Sequence, residues 1–128
     1  MTITSALVLA AGLGTRMRPL TERVPKPLVA LAGKALIDHV LDRLAANGIA
    51  RAVVNVHYMA EAIERHLATR RAPEIVLSDE RDALLDTGGG AVKAAAILDS
   101  GEPFLVHNSD SVWIERGASS LARLIAGF

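Results

Sequence analysis

A strand that runs directly into a glycine-rich loop is the feature that most constrains the fold of this chain. Residues 3–9 (ITSALVL) form an apolar run without strict polar–apolar alternation, which is typical of a strand covered on both faces. The run passes into AAGLGTR at residues 10–16, and Arg18 and the proline-flanked Lys26 follow. Such a loop offers backbone N–H groups and fixed positive charge, so it predicts a site for a polyphosphate.

The loop matches neither of the two commonest phosphate-binding fingerprints. A P-loop requires a lysine directly after its last glycine, and neither glycine of this loop is followed by lysine. The dinucleotide pattern G-x-G-x-x-G fits at Gly12 and Gly14, but Met17 occupies the third position, where close helix–strand packing needs glycine. Taken alone, the two glycines favour nothing more than a tight turn after a strand.

Composition limits the class of protein. The chain has 128 residues, of which 51% are hydrophobic and 22% charged, and its formal net charge is +0. These values are typical of a globular domain, and the balanced charge gives no electrostatic footprint for nucleic acid. Cysteine is absent, which excludes disulfides and thiolate chemistry. Because neither a membrane-length apolar stretch nor the basic start of a signal peptide is present, we expect a cytoplasmic protein that does not insert into membranes.

Strand-like and helix-like patterns alternate along the chain. After the first strand, short apolar runs predict further strands at 52–56, 75–77 and 103–107. Apolar residues at helical spacing, or alanine-rich stretches, predict helices at 36–44, 60–67, 87–98 and 119–125. This alternation predicts an α/β fold, in which an open, mostly parallel, Rossmann-like sheet carries helices on both faces. No linker or internal repeat is visible, so the chain is one domain or part of one.

A second glycine cluster precedes the alanine-rich helix. Residues 85–90 read LDTGGG. Three glycines allow a backbone to approach a flat ligand closely, and the start of a helix favours an anion. The same residues are also typical of a flexible loop followed by a helix cap, and on their own they favour that simpler interpretation.

The third cluster, Asn108-Ser109-Asp110, closes the predicted strand at 103–107. Ligands of open α/β sheets bind beyond the carboxyl ends of the strands, so Asp110 is well placed to hold Mg²⁺. The alternative is an ordinary turn or capping aspartate. Glu115 lies too near Asp110 in sequence to count as a second metal ligand.

Polar residues also end two other predicted strands. Glu80 follows the strand at 75–77, and a carboxylate there suits the N3–H of uracil and equally the N1–H and N2–H of guanine. A solvated acidic turn is an equally good explanation. Asn55 and His57 end the strand at 52–56 and are expected near the same cleft, although a lone histidine at a strand end is more often structural.

The loop and its flanks resemble the signature of the sugar-phosphate nucleotidyltransferases, the NDP-sugar pyrophosphorylases. The resemblance covers residues 10–21 and 25–28, the LDTGGG element, and Ser109-Asp110, although glycine is often found where Ser109 stands. It implies the nucleotide-diphospho-sugar transferase fold, with residues 1–128 as its N-terminal, nucleotide-binding part. It also implies transfer of a nucleotidyl group from an NTP to a sugar 1-phosphate, with Mg²⁺ as cofactor and pyrophosphate as product.

The resemblance further implies roles for individual residues. Arg16 would neutralise the leaving pyrophosphate, Lys26 would contact the phosphate under attack, and Asp110 would hold the metal. The role of Arg18 stays open between lining the site and pairing with a carboxylate. The nucleotide-binding set that the resemblance implies is Ala10, Ala11, Gly12, Gly14, Thr15, Arg16, Asn55, Glu80, Thr87, Gly88 and Gly89.

Within the family, the sequence is most similar to uridylyltransferases that act on N-acetylmuramate 1-phosphate in cell-wall recycling, so UTP is the expected nucleotide. Guanylyltransferases that use GTP and mannose 1-phosphate come next. Because the chain is shorter than the family's catalytic domains, a fragment or a nucleotide-binding module without catalysis stays open. So does a transferase that uses CTP and phosphocholine. The sequence leaves the oligomeric state undetermined.

Overall fold

The structure is a computed structural model that describes residues 2–98 and 101–128. Within these ranges the chain has six strands and four α-helices, and four of the strands alternate with the helices as the sequence predicts. The strands are β1 (Ser5–Leu9), β2 (Ala30–Leu31), β3 (Lys34–Ala35), β4 (Arg51–Val56), β5 (Glu74–Asp79) and β6 (Leu105–Asn108). The helices are α1 (Leu36–Ala46), α2 (Ala60–Leu67), α3 (Thr87–Leu98) and α4 (Ser120–Gly127).

Four of the strands form one parallel sheet. Their order is β5-β4-β1-β6, and every neighbouring pair is parallel, which confirms the predicted α/β class. The register sets Leu9 opposite both Asn55 and Asn108. Strands β1, β4 and β6 therefore end level with one another, and the loops that follow them converge at one edge of the sheet.

Helices cover both faces of this sheet, also as predicted. Alternate residues of β1 point to opposite sides, so Ala6 and Val8 pack against one set of helices while Leu7 packs against another. The larger core joins β1 and β4 to α1, α2 and α4, and the smaller one joins Leu7 to α3. A continuous apolar run in β1 is what a strand buried on both faces requires.

Helix α1 illustrates how the sequence pattern sets the packing. Ile37, Val40, Leu41 and Leu44 recur at helical spacing, and all four are completely buried. The helix ends at Asn47-Gly48, where Gly48 has a φ of +85°, as is typical of a glycine after a helix.

Two details differ from the sequence prediction. Residues 30–35 form a small antiparallel hairpin, β2–β3, which was not predicted. Its strands have two residues each, too few to show alternation, and its turn places Ala32 at a positive φ before Gly33, a position that Asn or Asp more often occupies. The last strand begins at Leu105 rather than Pro103, because proline has no N–H for the sheet. Over the described ranges, no helix has the length and apolar character to cross a membrane.

Candidate active site

The converging loops enclose a cleft of about 610 Å³ at the carboxyl edge of the sheet. Its walls come from the loop after β1, the segment around Lys26, the end of β4, the loop before α3 and the residues after β6. The predicted site residues that line it are Ala10, Ala11, Gly12, Gly14, Thr15, Arg16, Lys26, Asn55, Thr87 and Asp110. Glu80, Gly88 and Gly89 do not contribute to the lining. The cleft is also lined by Leu84, which the sequence analysis did not single out, and by Leu85 and Asp86, which belong to the predicted LDTGGG element but not to the predicted nucleotide-binding set.

The start of the glycine loop is held by Asn55. Its side-chain Oδ1 accepts a hydrogen bond of 2.7 Å from the backbone N–H of Ala10. Asn55 is 3% exposed, and the β1–β4 register brings it directly opposite Leu9. A buried side-chain amide at this position fixes where the chain leaves β1, so Asn55 both lines the cleft and orients the loop.

Gly14 marks the far end of the loop, where the chain turns into a short 3₁₀ segment, Thr15–Met17. Its φ is +66°, and a Cβ at this position would lie 3.0 Å from Cγ2 of Thr21. The Thr21 hydroxyl donates to the Gly14 carbonyl oxygen at 2.5 Å, and the Tyr58 hydroxyl donates to the Thr21 carbonyl oxygen at 2.7 Å. Both the left-handed backbone and the close packing require glycine here.

The positive charges of the cleft differ in their pairing. Lys26 Nζ lies 2.6 Å from Asp110 Oδ2, and both side chains are about one-third exposed, at 34% and 30%. Arg16 lines the cleft, is exposed, and forms no ion pair within the described part of the chain. The two catalytic residues predicted at separate points of the sequence are thus in direct contact, while the third is available for an anion.

Asp110 is a single carboxylate, so it could hold a divalent cation only if phosphate oxygens provided further ligands. The described residues contain no group of three or more His, Cys, Asp or Glu side chains that could hold a metal. Mg²⁺ typically takes one or two carboxylates and completes its shell with phosphate oxygens and water. A single carboxylate beside a phosphate-binding loop fits that donor set, whereas an all-protein metal cage is not present in these segments.

The loop before α3 forms the opposite wall. Asp86 Oδ1 accepts a hydrogen bond of 2.6 Å from the N–H of Gly89, so Asp86 caps the helix. A Cβ on Gly89 would lie 3.1 Å from that oxygen, and a Cβ on Gly90 would lie 3.1 Å from Asn55 Nδ2. These glycines therefore allow the cap and the close approach of α3 to Asn55. Thr87 is the member of the predicted 87–89 set that lines the cleft.

Glu80 lies behind this wall, not in the cleft. It is 2% exposed, and its Oε1 accepts a hydrogen bond of 2.8 Å from the N–H of Leu85. Its Oε2 is buried without a hydrogen-bond partner among the described residues. Its backbone oxygen lies 2.6 Å from Nδ1 of His57, so this histidine has a structural contact.

The segment after Asp110 is anchored by Glu115. Its Oε1 lies 3.0 Å from Arg43 Nη1 and accepts a 3.0 Å hydrogen bond from the indole N–H of Trp113. The guanidinium of Arg43 lies 4.7 Å from the centre of the Trp113 ring. The indole donor and the Ser120 donors, together with the charge of Arg43, lower the pKa of Glu115 against the opposing effect of desolvation. Glu115 is thus engaged in structural contacts that hold the segment after Asp110.

Comparison with known proteins defines the class. The sequence model of the family described as "Nucleotidyl transferase" matches residues 5–126, so this chain belongs to the nucleotidyl transferase family. The family assignment agrees with the sequence motifs. The parallel sheet and the cleft at its carboxyl edge are consistent with the same assignment.

Individual relatives are longer than this chain. N-acetylmuramate alpha-1-phosphate uridylyltransferase of Caulobacter vibrioides is 55% identical over 127 residues, which cover 96% of this chain and 52% of that protein. Mannose-1-phosphate guanylyltransferase catalytic subunit beta of Danio rerio is 39% identical over 110 residues, 84% of this chain and 31% of that protein. The chain therefore spans about half, or less, of the length of these curated relatives.

A solved structure shows the same fold. The crystal structure of UDP-glucose pyrophosphorylase complexed with UDP-glucose superposes with a TM-score of 0.76 at 21% identity, over 97% of this chain and 52% of that one. This likeness confirms the predicted nucleotide-diphospho-sugar transferase architecture, and at this identity it concerns the fold alone.

Proposed function

We propose that this chain is the nucleotide-binding part of an enzyme that transfers a nucleotidyl group from an NTP to a sugar 1-phosphate. The observation that carries the proposal is the meeting of the glycine loop, the exposed Arg16 and the Lys26–Asp110 pair in one cleft. The proposed substrates are UTP and N-acetylmuramate 1-phosphate, supported by the 55% identity to a uridylyltransferase named for that substrate. Because NTPs and sugar phosphates are cytoplasmic metabolites, we place the reaction in the cytoplasm.

In the proposed reaction, an oxygen of the sugar phosphate attacks the α-phosphorus of the NTP. A new P–O bond forms there while the bond to the bridging oxygen of the β-phosphate breaks, and the electron pair leaves with pyrophosphate. The acceptor phosphate is already an anion at neutral pH, so no covalent enzyme intermediate is required. Catalysis then consists mainly of positioning and charge neutralisation.

The charged residues of the cleft have different roles in this reaction. Arg16 neutralises the departing pyrophosphate, and the amides around Gly14 surround its oxygens. Lys26 contacts the phosphate under attack, which requires its ammonium to exchange Asp110 for a phosphate oxygen. Asp110, once separated from Lys26, would hold Mg²⁺. When bound, that ion would supply positive charge between phosphate oxygens.

The sequence suggests that Glu80 contacts the base of the nucleotide, and its buried position leads us to propose an indirect role instead. Because Glu80 is 2% exposed and its Oε1 already accepts from Leu85, we propose that it shapes the apolar wall instead of contacting the base directly. Asn55 lines the cleft, where its Oδ1 accepts from the glycine loop, and its Nδ2 lies 3.1 Å from the position of a Cβ on Gly90 of α3.

Calorimetric titration of the 128-residue chain with UTP, GTP, CTP and dTTP, each with and without Mg²⁺, tests the binding part of this proposal. We expect selective, Mg²⁺-dependent binding of UTP. Preference for GTP would favour the mannose 1-phosphate reaction, and preference for CTP would favour transfer to an acceptor such as phosphocholine. If no NTP bound to this chain or to a longer one that includes the rest of the domain, the proposal would be wrong.

Turnover is tested in the whole enzyme. Arg16→Ala and Asp110→Asn should abolish release of pyrophosphate from UTP and N-acetylmuramate 1-phosphate while the far-UV circular dichroism spectrum stays unchanged. Arg23→Ala is the matched control, because Arg23 is an exposed arginine outside the cleft lining. A normal kcat in either cleft variant would contradict the assignment, and UTP binding without turnover in the whole wild-type protein would indicate a binding module.

A further inference from the structure

Thr21 is a buried polar residue that the proposed mechanism does not use. It is 1% exposed, and it lies in a short 3₁₀ segment, Leu20–Glu22, which does not contribute to the cleft lining. Its hydroxyl donates to the Gly14 carbonyl oxygen at 2.5 Å. The backbone N–H of Met17 donates to the same oxygen at 3.2 Å, so this carbonyl is held by two donors.

Fixing that oxygen fixes the orientation of the next amide. In a planar trans peptide, the carbonyl of one residue and the N–H of the following residue point in opposite directions. The carbonyl of Gly14 points to Thr21, which does not line the cleft, so the N–H of Thr15 points away from Thr21. Gly14 and Thr15 both line the cleft. Thr15 is also the first residue of a 3₁₀ turn, so the turn provides no acceptor for this N–H.

A second contact keeps Thr21 itself in place. The Tyr58 hydroxyl donates to the Thr21 carbonyl oxygen at 2.7 Å, which ties the segment to the residues between β4 and α2. The Thr21 methyl group lies 3.0 Å from the position of a Cβ on Gly14, so it packs directly under the loop. The series Tyr58, Thr21 and Gly14 therefore connects the body of the domain to the loop through two hydrogen bonds.

We infer that Thr21 is a positioning residue, whose hydroxyl holds the Gly14–Thr15 peptide so that the Thr15 N–H faces the β- and γ-phosphates of the nucleotide. This inference rests on the proposed function, because it assumes that the loop receives those phosphates. Without the hydroxyl, only the longer 3.2 Å bond from the Met17 N–H holds this carbonyl, so the Thr15 donor is oriented less firmly toward the ligand.

Two substitutions test the contributions of the Thr21 hydroxyl and the Thr21 methyl group to binding one at a time. Thr21→Val keeps the shape and removes the donor, and Thr21→Ser keeps the donor and removes the methyl group. The loss of one oriented hydrogen bond to a charged group corresponds to roughly a tenfold or larger loss of affinity. We expect Thr21→Val to weaken calorimetric binding of Mg²⁺–UTP by about that factor, and Thr21→Ser to bind like the wild type.

Comparison of UTP with UMP distinguishes positioning from a general structural defect. UMP lacks the β- and γ-phosphates, so Thr21→Val should leave its affinity unchanged. Equal weakening of UTP and UMP, or equal weakening by Thr21→Val and Thr21→Ser, would overturn the inference. So would Thr21→Val binding UTP as well as the wild type does. Failure of the wild-type chain to bind UTP would instead count against the proposed function.

A further variant covers the case in which Thr21→Val does not fold. Tyr58→Phe removes the hydrogen bond that holds the Thr21 backbone and leaves the Thr21 hydroxyl in place. We expect a smaller loss of UTP affinity with UMP affinity unchanged, and in the whole enzyme a raised KM for UTP with little change in the KM for the sugar phosphate. A uniform loss for both nucleotides, or no loss for UTP, would contradict the positioning role.

Discussion

Replacing Gly14 by alanine is expected to destabilise the fold by about 2–4 kcal/mol, in two separable parts. The φ of +66° places alanine in the left-handed region, which costs an L-residue roughly 1–2 kcal/mol. The new Cβ would also lie 3.0 and 3.2 Å from Cγ2 and Cβ of Thr21, and 3.4 Å from Cβ of Lys26. Because Thr21 is buried and hydrogen-bonded, it has little freedom to retreat, and such overpacking costs about 1–3 kcal/mol. The lower conformational entropy of the unfolded alanine chain offsets roughly 0.4–1 kcal/mol.

Two other glycines provide matched controls. Gly48 has a φ of +85° but no atom within 4 Å of its Cβ position, so Gly48→Ala should show the backbone cost alone. Gly12 has neither a positive φ nor a close neighbour, so Gly12→Ala should leave stability nearly unchanged. The free energy of unfolding of each variant follows from urea titration monitored by circular dichroism.

The result that would refute this reasoning is equally specific. If Gly14→Ala and Gly48→Ala destabilised the fold equally, the crowding against Thr21 would not exist in solution. If Gly12→Ala lowered the free energy of unfolding as much as Gly14→Ala does, neither the positive φ nor the close neighbours of Gly14 would explain the effect. A double variant sharpens the test, since Thr21→Ser removes Cγ2 and should recover part of the loss caused by Gly14→Ala.

Two further predictions concern groups that support the walls of the cleft. Glu115 has a pKa below its ordinary value of 4.5, chiefly because the Trp113 indole donates to the carboxylate, so its contribution to stability is present above that value and is lost as the pH falls through the lowered pKa. The difference in unfolding free energy between the wild type and Glu115→Gln should therefore shrink in urea titrations at increasingly acid pH, and a difference that stayed constant would be inconsistent with this. Asp86→Ala removes the cap that accepts from Gly89 and should destabilise the fold by about 1 kcal/mol, measured in the same way, whereas an unchanged midpoint would show that the cap contributes nothing.

Much of the fold could be predicted because the main elements carry redundant local signals. Helix α1 has four apolar residues at helical spacing and a glycine after its end, and β1 has a continuous apolar run, so each pattern indicates its structure without help from the rest of the chain. The β2–β3 hairpin has no such redundancy. Two-residue strands show no period, and their pairing depends on backbone geometry at Ala32 that the sequence does not display.

The candidate site shows a different limit of sequence reasoning. Motifs identified Arg16, Lys26 and Asp110, because a particular chemistry needs those residue types. They did not reveal that Lys26 and Asp110 touch, since that contact depends on β6 lying beside β1 in the sheet. They also placed Glu80 in the cleft, whereas the path of the chain after β5 turns its carboxylate inward, to the backbone of Leu85.

The Lys26–Asp110 contact has a consequence for how the proposed ligands would enter. Two opposite charges 2.6 Å apart largely cancel, so the Lys26–Asp110 pair itself presents little net field to a lone anion or a lone cation. A nucleotide that arrived together with Mg²⁺ would satisfy both partners at once, because Lys26 would contact a phosphate in place of the carboxylate and Asp110 would hold the metal. The pair is about one-third exposed, so separating it costs only about 1 kcal/mol or less. Charge-assisted contacts to a polyphosphate provide a larger gain in free energy than this cost. We therefore expect the proposed nucleotide and metal to bind more tightly together than either one does alone.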